Sequence, residues 1–74
     1  MKIRYDTYAD AAYIYLVDEI KYGGAARTYP CDPLQVNGMI NLDFDADGRL
    51  VGIEVLDASK KLHKEILKDS KYIG

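Results

Sequence analysis

Apolar and polar residues alternate along most of the first 56 residues, as expected where every second side chain of a strand points to the same side of a sheet. The run at 11–17, rich in aromatic and β-branched residues, is the strongest strand candidate. Pro30 and Pro33 place the chain from there to Gly38 at a sheet edge or in a loop, because proline has no N–H to donate. Strands are predicted at residues 1–5, 11–17, 25–29, 39–44 and 49–56.

Two local signals organise the second half of the chain. The segment 45–48 predicts a tight turn, since Asp47-Gly48 is a preferred hairpin dipeptide. At 57–59 the apolar period changes from about 2 to about 3.6, and Asp57 or Ser59 can cap the first turn of a helix. We therefore predict an α+β fold, an antiparallel β-meander sheet of four to five strands with one C-terminal α-helix packed on one face. Residues 1–74 form a single domain, with the sheet at about 1–56 and the helix at about 58–69.

The small size of the chain limits its core. A domain of 74 residues buries only about 60% of the surface that its unfolded chain exposes. Cys31 is the only cysteine, so an internal disulfide cannot supplement this core. A metal or a partner subunit remains, and of the two we expect self-association or a small protein partner.

Charge and hydropathy exclude two classes of partner. Residues 1–59 carry five basic and ten acidic groups, whereas residues 60–74 carry five lysines and two acidic groups. An acidic sheet with a basic helix does not resemble a nucleic-acid-binding surface, which is normally basic. The longest apolar run, 11–17, is far shorter than the roughly 18 residues of a membrane span. We expect a cytoplasmic protein that binds neither nucleic acid nor membrane.

The acidic hairpin contains a calcium-loop spacing. Asp43, Asp45 and Asp47 stand at alternate positions, followed by Gly48 and, six residues later, Glu54. A calcium loop joins two helices, whereas both flanks here have the strand period, which places Glu54 about 20 Å from Gly48. We interpret the segment as an acidic turn. A weak metal- or small-ligand-binding domain that uses Asp43, Asp45 and Asp47 is the alternative function.

No combination of residues predicts catalysis. Ser59 and His63 lie four residues apart on the predicted helix, but a nucleophilic serine also needs an oxyanion hole and a substrate pocket. Cys31 and His63 are two potential zinc ligands where a structural site usually needs four. We therefore expect a non-enzymatic protein with no cofactor and no catalytic residues.

The tyrosines of the strongest strand are the best interface candidates. Tyr13 and Tyr15 point away from the apolar side of that strand, and tyrosine is enriched at protein interfaces because it combines a large rigid area with a polar tip. The alternative is that both rings stack on Lys2 and Arg4 within a monomer. The candidate interface comprises Tyr13, Tyr15, Val17, Leu50 and Leu56.

Two segments of the chain carry a family pattern. The first contains Tyr5-Asp6, Ala9-Asp10-Ala11 and Tyr13-Ile14, and the second runs through residues 40–45 and 47–59. Together they resemble the small bacterial and archaeal family called domain of unknown function 2283, with Thr7 where that pattern has proline. The resemblance supplies no activity and no catalytic residue. It implies a small accessory protein, or the antitoxin-like partner of another small protein, and fits a protein-interaction module, a homodimer or one member of a pair.

Overall fold

A computed structural model describes the backbone of residues 2–73 and the side chains of residues 2–71. The described chain forms one sheet and three short helices. The strands are β1 (Lys2–Asp6), β2 (Ala11–Tyr15), β3 (Arg27–Pro30), β4 (Ile40–Phe44), β5 (Leu50–Leu56) and β6 (Lys71–Ile73). The helices are α1 (Pro33–Val36), α2 (Ala58–Lys61) and α3 (Lys64–Lys68). Each of these helices is too short and too polar to cross a membrane.

The sheet has the order β3-β4-β5-β2-β1-β6. Its first five strands in the chain pair antiparallel, which confirms the predicted α+β class, whereas β6 adds to β1 in parallel. The prediction of a β-meander was wrong in one respect, because β2 pairs with β5 instead of β3. The residues at 16–26 form no strand and carry the chain from β2 to the far edge. There β3 lies at the edge, as its Pro30 predicted.

Aspartate side chains hold the two tight turns. Asp6 Oδ1 accepts hydrogen bonds from the N–H groups of Tyr8 (2.9 Å) and Ala9 (3.2 Å), between β1 and β2. Asp45 Oδ1 accepts from the N–H groups of Asp47 and Arg49, both at 2.9 Å, between β4 and β5. These Asx turns give the backbone local acceptors and so define where each hairpin reverses.

The prediction of a single C-terminal helix at about 58–69 was wrong. Helix α2 ends at Lys61, and Leu62 and His63 both adopt extended backbone angles before α3 begins. His63 starts the new helix, since its Nδ1 accepts a hydrogen bond from the N–H of Glu65 at 3.1 Å. The break allows Leu62 and Leu67, which are five residues apart, to pack against the same core. A straight helix would turn them about 140° apart.

The core lies on one side of the sheet, here called the inner face. Strand pairing aligns Ile3, Ile14, Ile53 and Leu42 across it, in agreement with the alternation of the sequence. The centre of this core is the buried cluster Ala12, Val55 and Ala58, against which residues of α2 and α3 pack. Among the described residues no large side chain is fully buried. The opposite side, the outer face, carries mostly polar residues.

Candidate functional site

Two neighbouring rows of paired residues cross the centre of the outer face. One row aligns Arg4, Tyr13, Glu54 and Asn41 on β1, β2, β5 and β4. The next aligns Lys2, Tyr15, Gly52 and Asp43 on the same four strands. The two tyrosines therefore stand side by side, surrounded by charged and amide groups.

Tyr13 reaches diagonally across a neighbouring strand. Its ring lies over Gly52 of β5, and its hydroxyl donates a 2.6 Å hydrogen bond to Asp43 Oδ2 on β4. A Cβ atom on residue 52 would overlap the Tyr13 hydroxyl and lie 2.5 Å from Cζ, so glycine is required for this path. The other carboxylate oxygen, Oδ1, accepts a 2.5 Å hydrogen bond from Thr28 Oγ1 on β3. One carboxylate thus ties three strands together.

The environment keeps the Tyr13 hydroxyl protonated. Partial burial raises the pKa of the Tyr13 phenol well above its usual value, and the hydrogen bond to the Asp43 carboxylate raises it further. At neutral pH the group is therefore a fixed hydrogen-bond donor. It is not poised to act as a base or a nucleophile.

Tyr15 completes the aromatic pair. Its ring meets that of Tyr13 edge to face, with centroids 4.8 Å apart and planes inclined at 68°. Lys2 Nζ lies 4.5 Å from the centroid of the Tyr15 ring, which is cation–π distance. Stacking on Lys2 within the monomer, the alternative to an interface, is present for this one ring. We call the group formed by Tyr13, Tyr15, Gly52 and Asp43 the tyrosine platform.

A shallow cavity of about 180 Å³ opens beside the tyrosine platform. Both tyrosines line it, together with Arg4, Asp6 and Glu54 and the alanines of β2. Glu54 is held in place by Asn41, whose Nδ2 donates to Glu54 Oε1 at 2.8 Å. A cavity with both signs of charge and an aromatic wall can accept a polar or charged side chain of a binding partner.

The remaining residues of the predicted interface lie away from the tyrosine platform, near the ends of β2 and β5. Val17 and Leu50 are 39% and 38% exposed, near the last residues of β2 and the first of β5. Val17 lines a separate cavity of about 290 Å³ with Ile20 and Val51. Leu56 is half-buried and pairs with Ala11 at the other end of the sheet. The structure brings Tyr13 and Tyr15 together and leaves these three residues at the margins; whether the set forms an interface stays a prediction.

The acidic residues of the hairpin do not converge. The Asp43 carboxylate is bonded to Tyr13 and Thr28, and Asp45 Oδ1 is bonded to its own turn. Within residues 2–71, no three aspartate, glutamate, histidine or cysteine side chains are placed to hold a metal ion. The Asp43, Asp45 and Asp47 pattern therefore builds a hairpin and the tyrosine platform.

A hydrogen-bonded cluster around Asp10 was missed by sequence reasoning. Asp10 has a left-handed backbone with φ of 50°, and its Oδ1 accepts bonds from the Tyr5 hydroxyl (2.6 Å) and the Ser59 N–H (3.0 Å). Ser59 Oγ donates to Asp10 Oδ2 at 2.7 Å. The Tyr5 hydroxyl first, and then Ser59, hold the pKa of Asp10 below its usual range.

Ser59 is therefore bonded to a carboxylate and is not paired with His63. Asp57 precedes α2 without a side-chain capping bond, since Asp10, which lies at the same end of the sheet, supplies the acceptor for the Ser59 N–H.

Comparison with known proteins agrees with the resemblance found in the sequence. A family model described as "Protein of unknown function (DUF2283)" matches residues 2–59. No curated protein and no solved structure matches the chain. The matched region contains the tyrosine platform and ends within α2.

Proposed function

This chain belongs to the DUF2283 family of proteins of unknown function, and we propose that it is a non-enzymatic protein-interaction module. The tyrosine platform is its contact surface. The observation that carries this proposal is the aromatic pair fixed at the centre of the outer face, opposite the face on which α2 and α3 pack.

The tyrosine platform has the composition and rigidity of an interface hot spot. Tyrosine and arginine are enriched at hot spots, and Arg4 stands next to Tyr13 in the same cross-strand row. The Tyr13 ring is held at its tip by Asp43, and Tyr15 is held by the Tyr13 ring and Lys2. Side chains that are already ordered lose little conformational entropy on binding, which favours affinity.

The exposed area of the chain is larger than that of a compact monomer of its size. The chain exposes 5468 Å². A compact monomer of 8.3 kDa is expected to expose about 4,600 Å², so the excess is about 900 Å². One partner in a standard interface buries about 800 Å². The molecule is a slab of 32 × 29 × 19 Å, which is consistent with a broad sheet face left open to a partner.

The partner is a second copy of the chain or another small protein. An antitoxin-like role in a pair of small proteins is one form of this function, and it would use the same surface. The fixed hydroxyl of Tyr13 and the charged groups of the cavity would select the partner more than they would add affinity, as polar groups at interfaces commonly do.

The experiment compares two tyrosine substitutions that differ only in place. Tyr15→Glu puts a charge on the tyrosine platform, whereas Tyr22→Glu puts the same charge on a fully exposed tyrosine outside it. We expect wild-type protein and Tyr22→Glu to self-associate in sedimentation equilibrium, or to capture the same protein from the native cell. Tyr15→Glu is expected to lose that association while circular dichroism shows an unchanged fold. A wild-type chain that stays monomeric and captures nothing, or a Tyr15→Glu variant that associates normally, would rule out the tyrosine platform as the contact surface.

A further inference from the structure

The residues that follow the family match cover the core of the matched region. The match ends at residue 59, and residues 60–73, here called the strap, form the rest of α2, then α3 and β6. Leu62 and Leu67 of the strap pack against the buried cluster of Ala12, Val55 and Ala58. The inner face of the family domain is therefore an apolar docking surface, occupied in this chain by its own C-terminal segment.

The residues immediately before the strap are attached firmly, whereas the strap beyond Lys61 is attached weakly. Just before the strap, the N–H of Ala58 bonds to the Asp10 carbonyl at 2.9 Å, and Ser59 makes its two bonds to the Asp10 carboxylate. Lys61 Nζ adds a 3.1 Å bond to the carbonyl of Val36. Further along, α3 contains no buried residue, and β6 pairs with β1 over only three positions. The extended residues Leu62 and His63 separate the two parts.

Charge distinguishes the strap from the rest of the chain. The strap carries five lysines and two acidic residues, a net charge of +3, and residues 1–59 carry a net charge of −5. A basic segment with two leucines is attracted to an acidic domain that exposes an apolar face, whether the two belong to one chain or to two. Exchange of such an element between identical chains needs no new contact, because each copy makes the bonds that it already makes internally.

We propose that the strap opens at Leu62–His63 and that the inner face accepts the strap of a second copy. This inference concerns the face opposite the tyrosine platform and does not rest on the function proposed above. Strap exchange places the basic segment of each copy on the acidic domain of the other.

Hydrogen exchange of the wild-type chain tests the opening directly. Amides of residues 64–73 should exchange through a local opening, well before those of β2 and β5, because few buried contacts hold them. If the strap amides exchanged only together with those of β2 and β5, the strap would be part of one cooperative unit and the proposal would be overturned. This measurement needs no variant.

Docking in trans is tested with neighbouring residues of α3. Leu67→Asp removes an apolar contact with the core, and Ile66→Asp places the same charge on a residue that is 37% exposed. We expect the full-length Leu67→Asp chain to bind more of a hydrophobic dye than the Ile66→Asp chain. It should also bind a synthetic peptide of residues 60–74 about tenfold more tightly than the same peptide carrying Leu67→Asp. Equal binding of the two peptides by a folded Leu67→Asp chain would contradict the proposal. Because Tyr15→Glu leaves the strap untouched, its result is independent of these measurements.

Discussion

The path of Tyr13 across Gly52 gives the sharpest prediction about stability. In most strands, replacing glycine by alanine is favourable by about 0.5–1 kcal/mol, because alanine loses less conformational entropy on folding. At position 52 the opposite is expected, since the added methyl group occupies the space of the Tyr13 ring. The Gly52→Ala substitution must displace the ring and separate its hydroxyl from Asp43.

The magnitude follows from two destabilising contributions and one that offsets them. A hydrogen bond to a charged group contributes about 1.5–3 kcal/mol, and we take the lower end because Tyr13 is only half-buried. Crowding of the ring costs about 1–3 kcal/mol, while the entropic gain of alanine offsets up to about 1 kcal/mol. The expected net loss is about 2 kcal/mol. For a domain of this size that is a fall in melting temperature of about 8–16 °C.

A double-mutant cycle separates this mechanism from a general intolerance of position 52. With Tyr13→Ala as the background, the ring is absent and Gly52→Ala should become neutral or stabilising by about 0.5–1 kcal/mol. Urea unfolding followed by circular dichroism measures the free energy of unfolding of all four chains. Additive effects of the two substitutions, or a Gly52→Ala chain as stable as wild type, would refute the argument that Gly52 exists to admit Tyr13.

Two further predictions concern aspartate side chains. The folded-state pKa of Asp10 is lowered by the Tyr5 hydroxyl and Ser59, so its contribution to stability is fully present above the usual pKa of 3.8 and is lost as pH falls through the lowered value. The free energy of unfolding should therefore fall less steeply with decreasing pH in Asp10→Asn than in wild type. The same pH dependence in both chains would contradict this role. Asp45→Ala removes the acceptor of two backbone N–H groups and should destabilise the chain by about 1 kcal/mol in urea, whereas Asp47→Ala should have less effect. If millimolar calcium raised the melting temperature of wild type but not of Asp45→Ala, the turn would be a cation site after all.

Local patterns in the sequence predicted much of the fold. The Asp45–Gly48 turn, the edge position of Pro30 and the division of residues between the two faces each depend on a few neighbouring residues. Alternation also assigned Tyr13 and Tyr15 to the side of the sheet opposite the apolar one. These features follow from the period of two and from turn chemistry, which act within one strand or one hairpin.

Features that depend on register between distant strands could not be predicted in the same way. The contact between Tyr13 and Asp43 requires β2 to lie beside β5 with Tyr15 opposite Gly52. Alternation is satisfied equally well by a β2–β3 neighbour, and no local signal chooses between the two. The Asp10–Ser59 bonds join residues 49 positions apart, and an isolated aspartate beside a strand gives no sign of such a partner. The break at Leu62–His63 was missed because the apolar positions of the segment fit a helix nearly as well as they fit two short ones.

The family match includes the tyrosine platform on the outer face but not the whole cover of the inner face. Every residue of the tyrosine platform lies within the matched residues 2–59, whereas the segment that completes the cover of the inner face lies beyond them. A domain that contains its own outer-face platform but obtains its inner-face cover from a separate segment has two surfaces that respond to different perturbations. Charge on the tyrosine platform should change partner binding and leave strap exchange unaltered, and loss of Leu67 should do the reverse. The two proposals therefore stand or fall separately, because the Tyr13–Asp43 bond and the contact of Leu67 with the core lie on opposite faces of the sheet and share no residue.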